Sequence, residues 1–442
     1  MSAALTERIA QEHAAASALL SSAVVSADRR RLALETLTAR GLPTGRDENW
    51  KYANLRVLEK VRLAPSAPRA RTDVTSGDLP ALIEGYARYT FVDGVFAPEL
   101  SRAASVAGIA VTSLRGKRAA NAAAAALASD SSQRGASEEE RFALLNEVFA
   151  TDGAVIDVAA GTDCPACVEL VFVASEPAQV AASYPRLELN VGANARLGLI
   201  ERHISLWDDT NFVNGVVRVN VGKGAQVSHY RLQQAGNRAT WFDTLAATVD
   251  RDARYEVHAV NLGALSARST LNIQLIGEHA ELALHVVSLA DHQQVQDGFA
   301  LVEHIAPYTK SEQNVRGIAG GRSRVAFNSK VVVRERAQGT DSRQSLRGLL
   351  AGPQAEIDVR PQLEIYTDDV RCNHGATAGK LDETMLFYLL SRGIDRDTAQ
   401  QLLKWAFLED VVARITVPEL RKHIEASLAG QMQETAALKE LI

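Results

Sequence analysis

VGANARLGL (residues 191–199), VGKGAQVSH (221–229), VDRDARYEV (249–257), IGEHAELAL (276–284), GGRSRVAF (320–327) and AGPQAEIDV (351–359) are six versions of one phrase. Each makes a turn, places a small residue after it, and then alternates apolar with polar positions, the period-2 pattern of a strand. The small residues, Ala195, Ala225, Ala253, Ala280, Ser323 and Ala355, follow one another at spacings of 30, 28, 27, 43 and 32. A strand-type unit recurring about every 30 residues predicts a β-solenoid, in which coils stack in register. Small residues at the turns let neighbouring coils approach, and the alternate apolar positions fill the bore. A β-sandwich or barrel also repeats its strands at even spacing, and the 43-residue step is the one that breaks the period.

The strand-like register holds over 151–378, the expected β-helix core. Residues 1–150 read as a mixed, mainly helical region, with an Ala-rich helix from Leu5 to Leu20 and a second from Asp28, its candidate N-cap, to Arg40. The Pro-, Ser- and Arg-rich run at 62–80 reads as a linker, and YTFVDGVF (89–96) as a hairpin turning on Asp93-Gly94. Further helices are expected over 118–128 and 138–150. From 379 to 442 the chain is a helical domain: Asp382 caps one helix that stops at Gly393, Asp395 or Asp397 opens a second reaching Arg414, and Pro418 starts a third. The second helix carries two apolar stripes, Ala399/Leu403/Ala406/Phe407 and, nearly opposite, Trp405/Leu408/Val412/Ile415. One stripe packs within the domain. The other needs a further element of this chain or another protein, which makes Trp405, Leu408 and Val412 candidates for a partner surface.

The 442 residues, 46% of them hydrophobic, suffice for a large core, and a net charge of −5 without a long basic patch argues against nucleic acid. Apolar runs stop well short of the ~18 residues of a membrane span. Glu7, Arg8 and Glu12 stand where an export signal needs an apolar core, so a cytoplasmic location is expected. Phosphate-loop, dinucleotide and nucleophile-elbow signatures are missing, so the chain is not expected to hydrolyse a nucleotide itself.

Three cysteines in all fit free thiols in a reducing compartment rather than a disulfide frame. Cys164 and Cys167 form CPAC, a spacing that suits zinc or a redox pair, but a second C-x-x-C and a nearby histidine are lacking, and the pair reads as structural or incidental. Seven histidines of the strand region, His203, His229, His258, His279, His285, His292 and His304, show no tight ligand spacing and read as surface or hydrogen-bonded rung residues. RCNHGATAG (371–379) differs, because Cys372 and His374 stand at i and i+2, on one face of a strand and about 7 Å apart. Thiolate is the natural ligand of iron-sulfur clusters, and imidazole suits iron and zinc. Two ligands fall short of the roughly four such a group takes, so the others must come from elsewhere in the chain or from another chain. The plain alternative is a buried thiol and a hydrogen-bonded histidine at a strand end.

Taken together, FNSKVVV (327–333), TDSRQS (340–345), RPQLEIYTDDVRCNHGATAGKLDETMLFYLLSRGI (360–394) and LLKWAFLEDVVARI (402–415) resemble the SufD family, subunits of the bacterial SUF scaffold for iron-sulfur cluster assembly. GLPTGRDENWKYANL (41–55) is similar to that family's N-terminal motif. The resemblance is dense over 290–415 and looser elsewhere. It implies a right-handed parallel β-helix between helical N- and C-terminal regions, a paralogue, SufB, paired through the β-helix region, and a SufC ATPase bound through the C-terminal helices. It also implies that His374 lies at the SufB interface as a candidate ligand of a nascent, transient iron-sulfur cluster shared with that subunit, with Cys372 beside it. A homodimer of the isolated chain is a further partner expectation. Ser329 stands where the family commonly has Gly and Ala378 where it has Val or Ile, neither touching the ligand pair, and CPAC is no part of the pattern.

The expected function is therefore that of a non-catalytic scaffold subunit. Two others stand beside it: an interaction module with no metal role, and a polysaccharide-active β-helix enzyme using Asp243, Asp250 and Asp252, for which 5% aromatic residues is thin.

Overall fold

The structure is a computed structural model that describes residues 3–65, 73–116, 138–175, 182–208 and 210–432. From Ala154 to Gly379 the chain passes back and forth between two sheets. A front sheet holds, in spatial order, Ala87–Val92, Asp163–Ala174, Arg196–Ser205, Gln226–Ala235, Arg254–Gly263, Glu281–Ala290, Lys310–Ala319, Thr340–Leu350 and Val370–Gly379. A back sheet runs from Ala154–Val158 through Arg186–Val191, Phe212–Val221, Thr240–Val249, Ser266–Leu275, Val295–His304 and Arg324–Val333 to Glu356–Ile365. Strands adjacent in a sheet are parallel and lie one coil apart in the chain, so Leu282 stands beside Tyr255 on one side and Ser311 on the other. This is the expected parallel β-solenoid; the parallel register excludes the antiparallel sandwich.

The repeat has a physical cause at its corners. Ala195, Ala225, Ala253 and Ala280 are fully buried just ahead of front-sheet strands. The residue before each, Asn194, Gly224, Asp252 and His279, has a positive φ of 56°, 66°, 56° and 61°. In that left-handed turn its N–H points along the stack and donates to a carbonyl of the next coil, Asn194 to Lys223 at 2.7 Å, Gly224 to Arg251 at 2.8 Å and Asp252 to Glu278 at 2.9 Å. A larger side chain after the turn would force the coils apart. Thr309, after Tyr308 with φ 55°, takes the next place. Ser323 and Ala355 instead precede back-sheet strands, at the opposite corner. The 43-residue step is thus a change of corner, about a coil and a half, and not a break in the stack.

Apolar side chains from both sheets, among them Leu199, Val257, Leu284, Leu271, Ile273 and Val302, fill the bore. The outer faces are covered as well, which parallel sheets require. On the back sheet lie helices α1 (Ala3–Ala16), α2 (Ala27–Arg40) and α3 (Arg141–Phe149), whose Leu5, Leu37, Phe142 and Phe149 pack with Trp50 on Phe212 and Phe242. The C-terminal helices are α4 (Glu383–Ser391), α5 (Arg396–Val412) and α6 (Pro418–Gln431), and the last two lie on the front sheet. Asp382 caps α4, accepting from the Thr384 and Met385 N–H groups, and Asp395, not Asp397, caps α5 through Thr398.

Several expectations are corrected. Ser26 Oγ, and not Asp28, accepts from the Arg29 N–H and caps α2. The run at 62–80 is tied down where described: Leu63 and Ala64 N–H groups donate to the Glu12 carboxylate at 2.8 and 2.6 Å, the Tyr184 hydroxyl donates to the Leu63 carbonyl, and Val74 is buried. Residues 66–72, and the helix expected over 118–128, lie outside the described residues. The hairpin at Asp93-Gly94 forms as read, pairing Phe91 with Phe96 and Val92 with Val95. Among the described residues no helix is long and apolar enough to cross a membrane.

The corner geometry yields a paired expectation. Replacing Ala280 with Leu should lower stability by ~1–3 kcal/mol through overpacking between coils. Asp252→Gly, at a left-handed position, should be neutral or stabilise by up to ~1 kcal/mol. Urea unfolding of the two variants checks both.

Candidate functional site

Among the described residues the stack ends on two strands with a partner on one side only. Val370–Gly379 pairs with Thr340–Leu350, and Glu356–Ile365 with Arg324–Val333. Each presents a row of N–H and C=O groups to the open end. Cys372 and His374 sit on the outermost front strand, in register with Ser342 and Gln344 of the coil behind. Cys372 is half-buried against the bore core, and His374, two residues on and so on the same face, is exposed. The structure therefore brings the pair together at the mouth of the bore. Burial pushes the Cys372 thiol above its ordinary range, with the Asp341 carboxylate adding to the effect against the Ser342 backbone hydrogen bond.

Behind the pair the bore turns polar. His304 is fully buried, with Nδ1 2.8 Å from Thr309 Oγ1 and Nε2 2.9 Å from Ser311 Oγ, and Ser311 Oγ lies 2.9 Å from Ser342 Oγ, the register neighbour of Cys372. Burial lowers the His304 pKa to about 4, so its imidazole is neutral. A second file runs from Gln313 to Ser329, whose hydroxyl donates to the Gln313 Oε1, and on to Gln344, whose Nε2 donates to Ser329 Oγ at 2.8 Å. Gln344 stands beside His374. Ser329 does not touch the ligand pair but lies one hydrogen bond from Gln344, the residue adjoining it. Sequence reading missed these files because their members, from 5 to 31 residues apart, meet only across a corner, between the two sheets or from coil to coil. The available signal was Gln313 and Gln344 at period-2 positions that elsewhere face the bore as apolar residues.

The remaining candidates fall elsewhere. Leu408 and Val412 are fully buried, packing with Trp405 against Tyr230, Val260, Val287 and Ile318 on the outer face of the front sheet. They belong to the chain's own interior and cannot be an exposed partner surface; the stripe covers a sheet that would otherwise be wet. Among the described residues after the solenoid, the large exposed apolar side chains are on α4, where Met385, Phe387 and Tyr388 are 58%, 70% and 57% exposed. Cys164 and Cys167 are joined in a disulfide, which corrects the expectation of three free thiols. A bulge between Cys164 and Val168 brings their Cα atoms to 5.5 Å, within bridging distance. Gly198 opposite leaves room for it, since a Cβ there would lie 1.9 Å from the Pro165 carbonyl oxygen.

The histidines are mostly rungs, as read. His203 and His229 hold Glu201, which also pairs with Arg231 at 2.9 Å, while His279 and His292 are exposed at corners. Burial works against ionisation of Glu201, but Arg231 and the two imidazoles hold its pKa well below the carboxylate range. Asp243 is buried on Arg231 at 2.7 Å, and Asp250 and Asp252 sit on an exposed corner, so the three carboxylates share no groove.

Residues 172–407 match the family model described as SUF system FeS cluster assembly, SufBD core domain, and residues 7–170 match the SufBD protein N-terminal region. The chain belongs to the SufBD family. Within it, the iron-sulfur cluster assembly protein SufD of Escherichia coli is 29% identical over 403 residues, covering 90% of this chain and 91% of that protein. An iron-sulfur cluster assembly SufBD family protein of Synechocystis is 27% identical over 423 residues, covering 94% of this chain and 91% of the relative. Membership of the SufBD family makes this chain a component of iron-sulfur cluster assembly.

Two expected outcomes follow from this geometry. With Cys164 and Cys167 bonded, Cys372 is the thiol open to iodoacetamide, and its labelling should be slow at neutral pH and keep rising beyond pH ~8.5, where an ordinary thiol is half ionised. The same titration in urea should shift to lower pH. Leu408→Ala should lower unfolding stability by ~2–5 kcal/mol, the response of an interior residue.

Proposed function

We propose that this chain is a scaffold subunit without enzymatic activity of its own, whose open solenoid end pairs with the paralogue SufB, and that a nascent iron-sulfur cluster is assembled as cargo across that junction. The observation that carries the reading is the placement of Cys372 and His374 on the outermost strand of an unpaired coil. A thiol and an imidazole have the right chemistry for a cluster, but two ligands do not complete one, and a partner seated on the edge strands would supply the rest. His374, exposed, is the ligand available at once. Cys372 must lose a proton that its half-buried setting retains, so its binding releases a proton to solvent.

The SufC ATPase would dock on the C-terminal helices. Lys380, Leu381 and Asp382 are all that separate the ligand strand from α4, so a force applied at the exposed Met385, Phe387 and Tyr388 reaches the edge strand through a short, capped connection. ATP hydrolysis on SufC could thereby reshape the junction without a catalytic residue in this chain.

Anaerobic reconstitution of the complex with SufB and SufC, followed by visible absorption, tests the reading. His374→Ala should leave the complex intact by gel filtration and abolish the cluster bands, and Cys372→Ser should reduce them. Full cluster yield in His374→Ala would leave the interaction-module reading in place. A homodimer that resists SufB would assign the open end to a second copy.

A further inference from the structure

On the outer face of the front sheet, away from the open end, three side chains converge. The Glu256 carboxylate and the His258 and His285 imidazoles each offer a ligand atom within 4.8 Å of the others. His258 and His285 face each other in register from adjacent coils, with ring centroids 4.9 Å apart. Glu256 Oε1 is 2.9 Å from His258 Nε2. Both imidazoles are buried, at 2% and 3% exposure, while Glu256 reaches the solvent side. Tyr230 stacks over His258 at 5.1 Å, and Asn314 Nδ2 donates to His285 Nδ1 at 3.4 Å, orienting that ring with its Nε2 as the remaining ligand atom. His258 Nδ1 is buried without a hydrogen-bond partner. Such an atom carries an uncompensated loss of hydration, unusual in an otherwise well-paired rung.

We propose that Glu256, His258 and His285 form a binding site for one divalent cation of the zinc or ferrous type. Two imidazoles and one carboxylate select borderline first-row metals over magnesium or calcium, and leave at least one position for water. Ligand atoms of a four-coordinate ion stand about 3.3 Å apart, given metal–ligand distances of about 2 Å, so modest rotation of the Glu256 side chain and the rings closes the set. The neighbouring charges are Glu312, which accepts from Asn314 at 2.7 Å and pairs with Arg414 at 3.4 Å, and Arg254, 3.2 Å from Glu256. Arg414 also opposes positive charge on His285. Binding therefore requires Arg254 to swing from Glu256 to Glu281, its other partner at 3.3 Å. The ion would lie at the seam with the C-terminal helices, since Tyr230 Oη is 2.8 Å from Thr416 Oγ1 just beyond α5. It would link two coils and stiffen the platform on which those helices rest. None of its ligands belongs to the open end, so the site stands or falls apart from the cluster reading.

The test uses the full chain carrying Cys372→Ser and His374→Ala, stripped with chelator and titrated with Zn2+ by calorimetry, then with Co2+ by visible absorption. One equivalent of Zn2+ should bind, with a raised melting temperature and Co2+ bands of an imidazole-ligated site. His285→Asn and Glu256→Gln should each weaken Zn2+ binding by at least about tenfold. Glu256→Gln keeps both buried rings, so it reports even where His285→Asn fails to fold. Failure of the parent to retain Zn2+, equal affinity in Glu256→Gln, or equal binding of Mg2+ would overturn the proposal.

Discussion

The structure depends on one hydrogen bond repeated along a corner: the N–H of a residue in the left-handed conformation donating to a carbonyl of the next coil. It fixes both the spacing and the register of the stack. A strand slipped by one residue would turn its bore side chains outward, and the corner bond forbids that slip. With the register set, side chains far apart in the chain become neighbours in predictable columns. Tyr230, His258, His285 and Asn314 form such a column outside the bore, and Ser311, Ser342 and Cys372 form one inside it. The chemistry of this protein is arranged in columns rather than in motifs.

That arrangement explains what the sequence disclosed. The solenoid was legible because period-2 alternation and the small corner residues are local signals repeated many times. The helix caps at Asp382 and Asp395 and the Asp93-Gly94 turn were legible for the same local reason. Cys372 and His374 were visible because both lie on one strand. The polar files behind them were not, since His304 meets Ser311 only through the geometry of a corner and Ser311 meets Ser342 only through the length of a coil. Leu408 and Val412 misled because an apolar helix stripe has the same appearance whether it meets its own sheet or another protein.

The two faces of the solenoid are used differently. The back sheet is covered by residues from the N-terminal region, with Arg268 held under Trp50 at 4.3 Å and paired with Asp297. The front sheet carries α5 and α6, joined to it by aliphatic contacts and by Arg316 paired with Asp410. Both helical regions therefore brace the coils, the C-terminal one on the front-sheet strands from Arg196–Ser205 to Thr340–Leu350.

The two ends of the stack are also unlike. Toward the N-terminus the sheets are finished by antiparallel strands, Val95–Phe96 on one and Ile109–Ser113 on the other, whose direction breaks the parallel repeat. Toward the C-terminus the repeat simply stops with its edge strands facing out. The solenoid thus has polarity, like a filament with one blunt end and one receptive end. Any chain that adds at the receptive end, and is itself finished at its far end, terminates growth. For such an addition the product would be a closed pair, limited by the architecture of the ends rather than by repulsion along the edge.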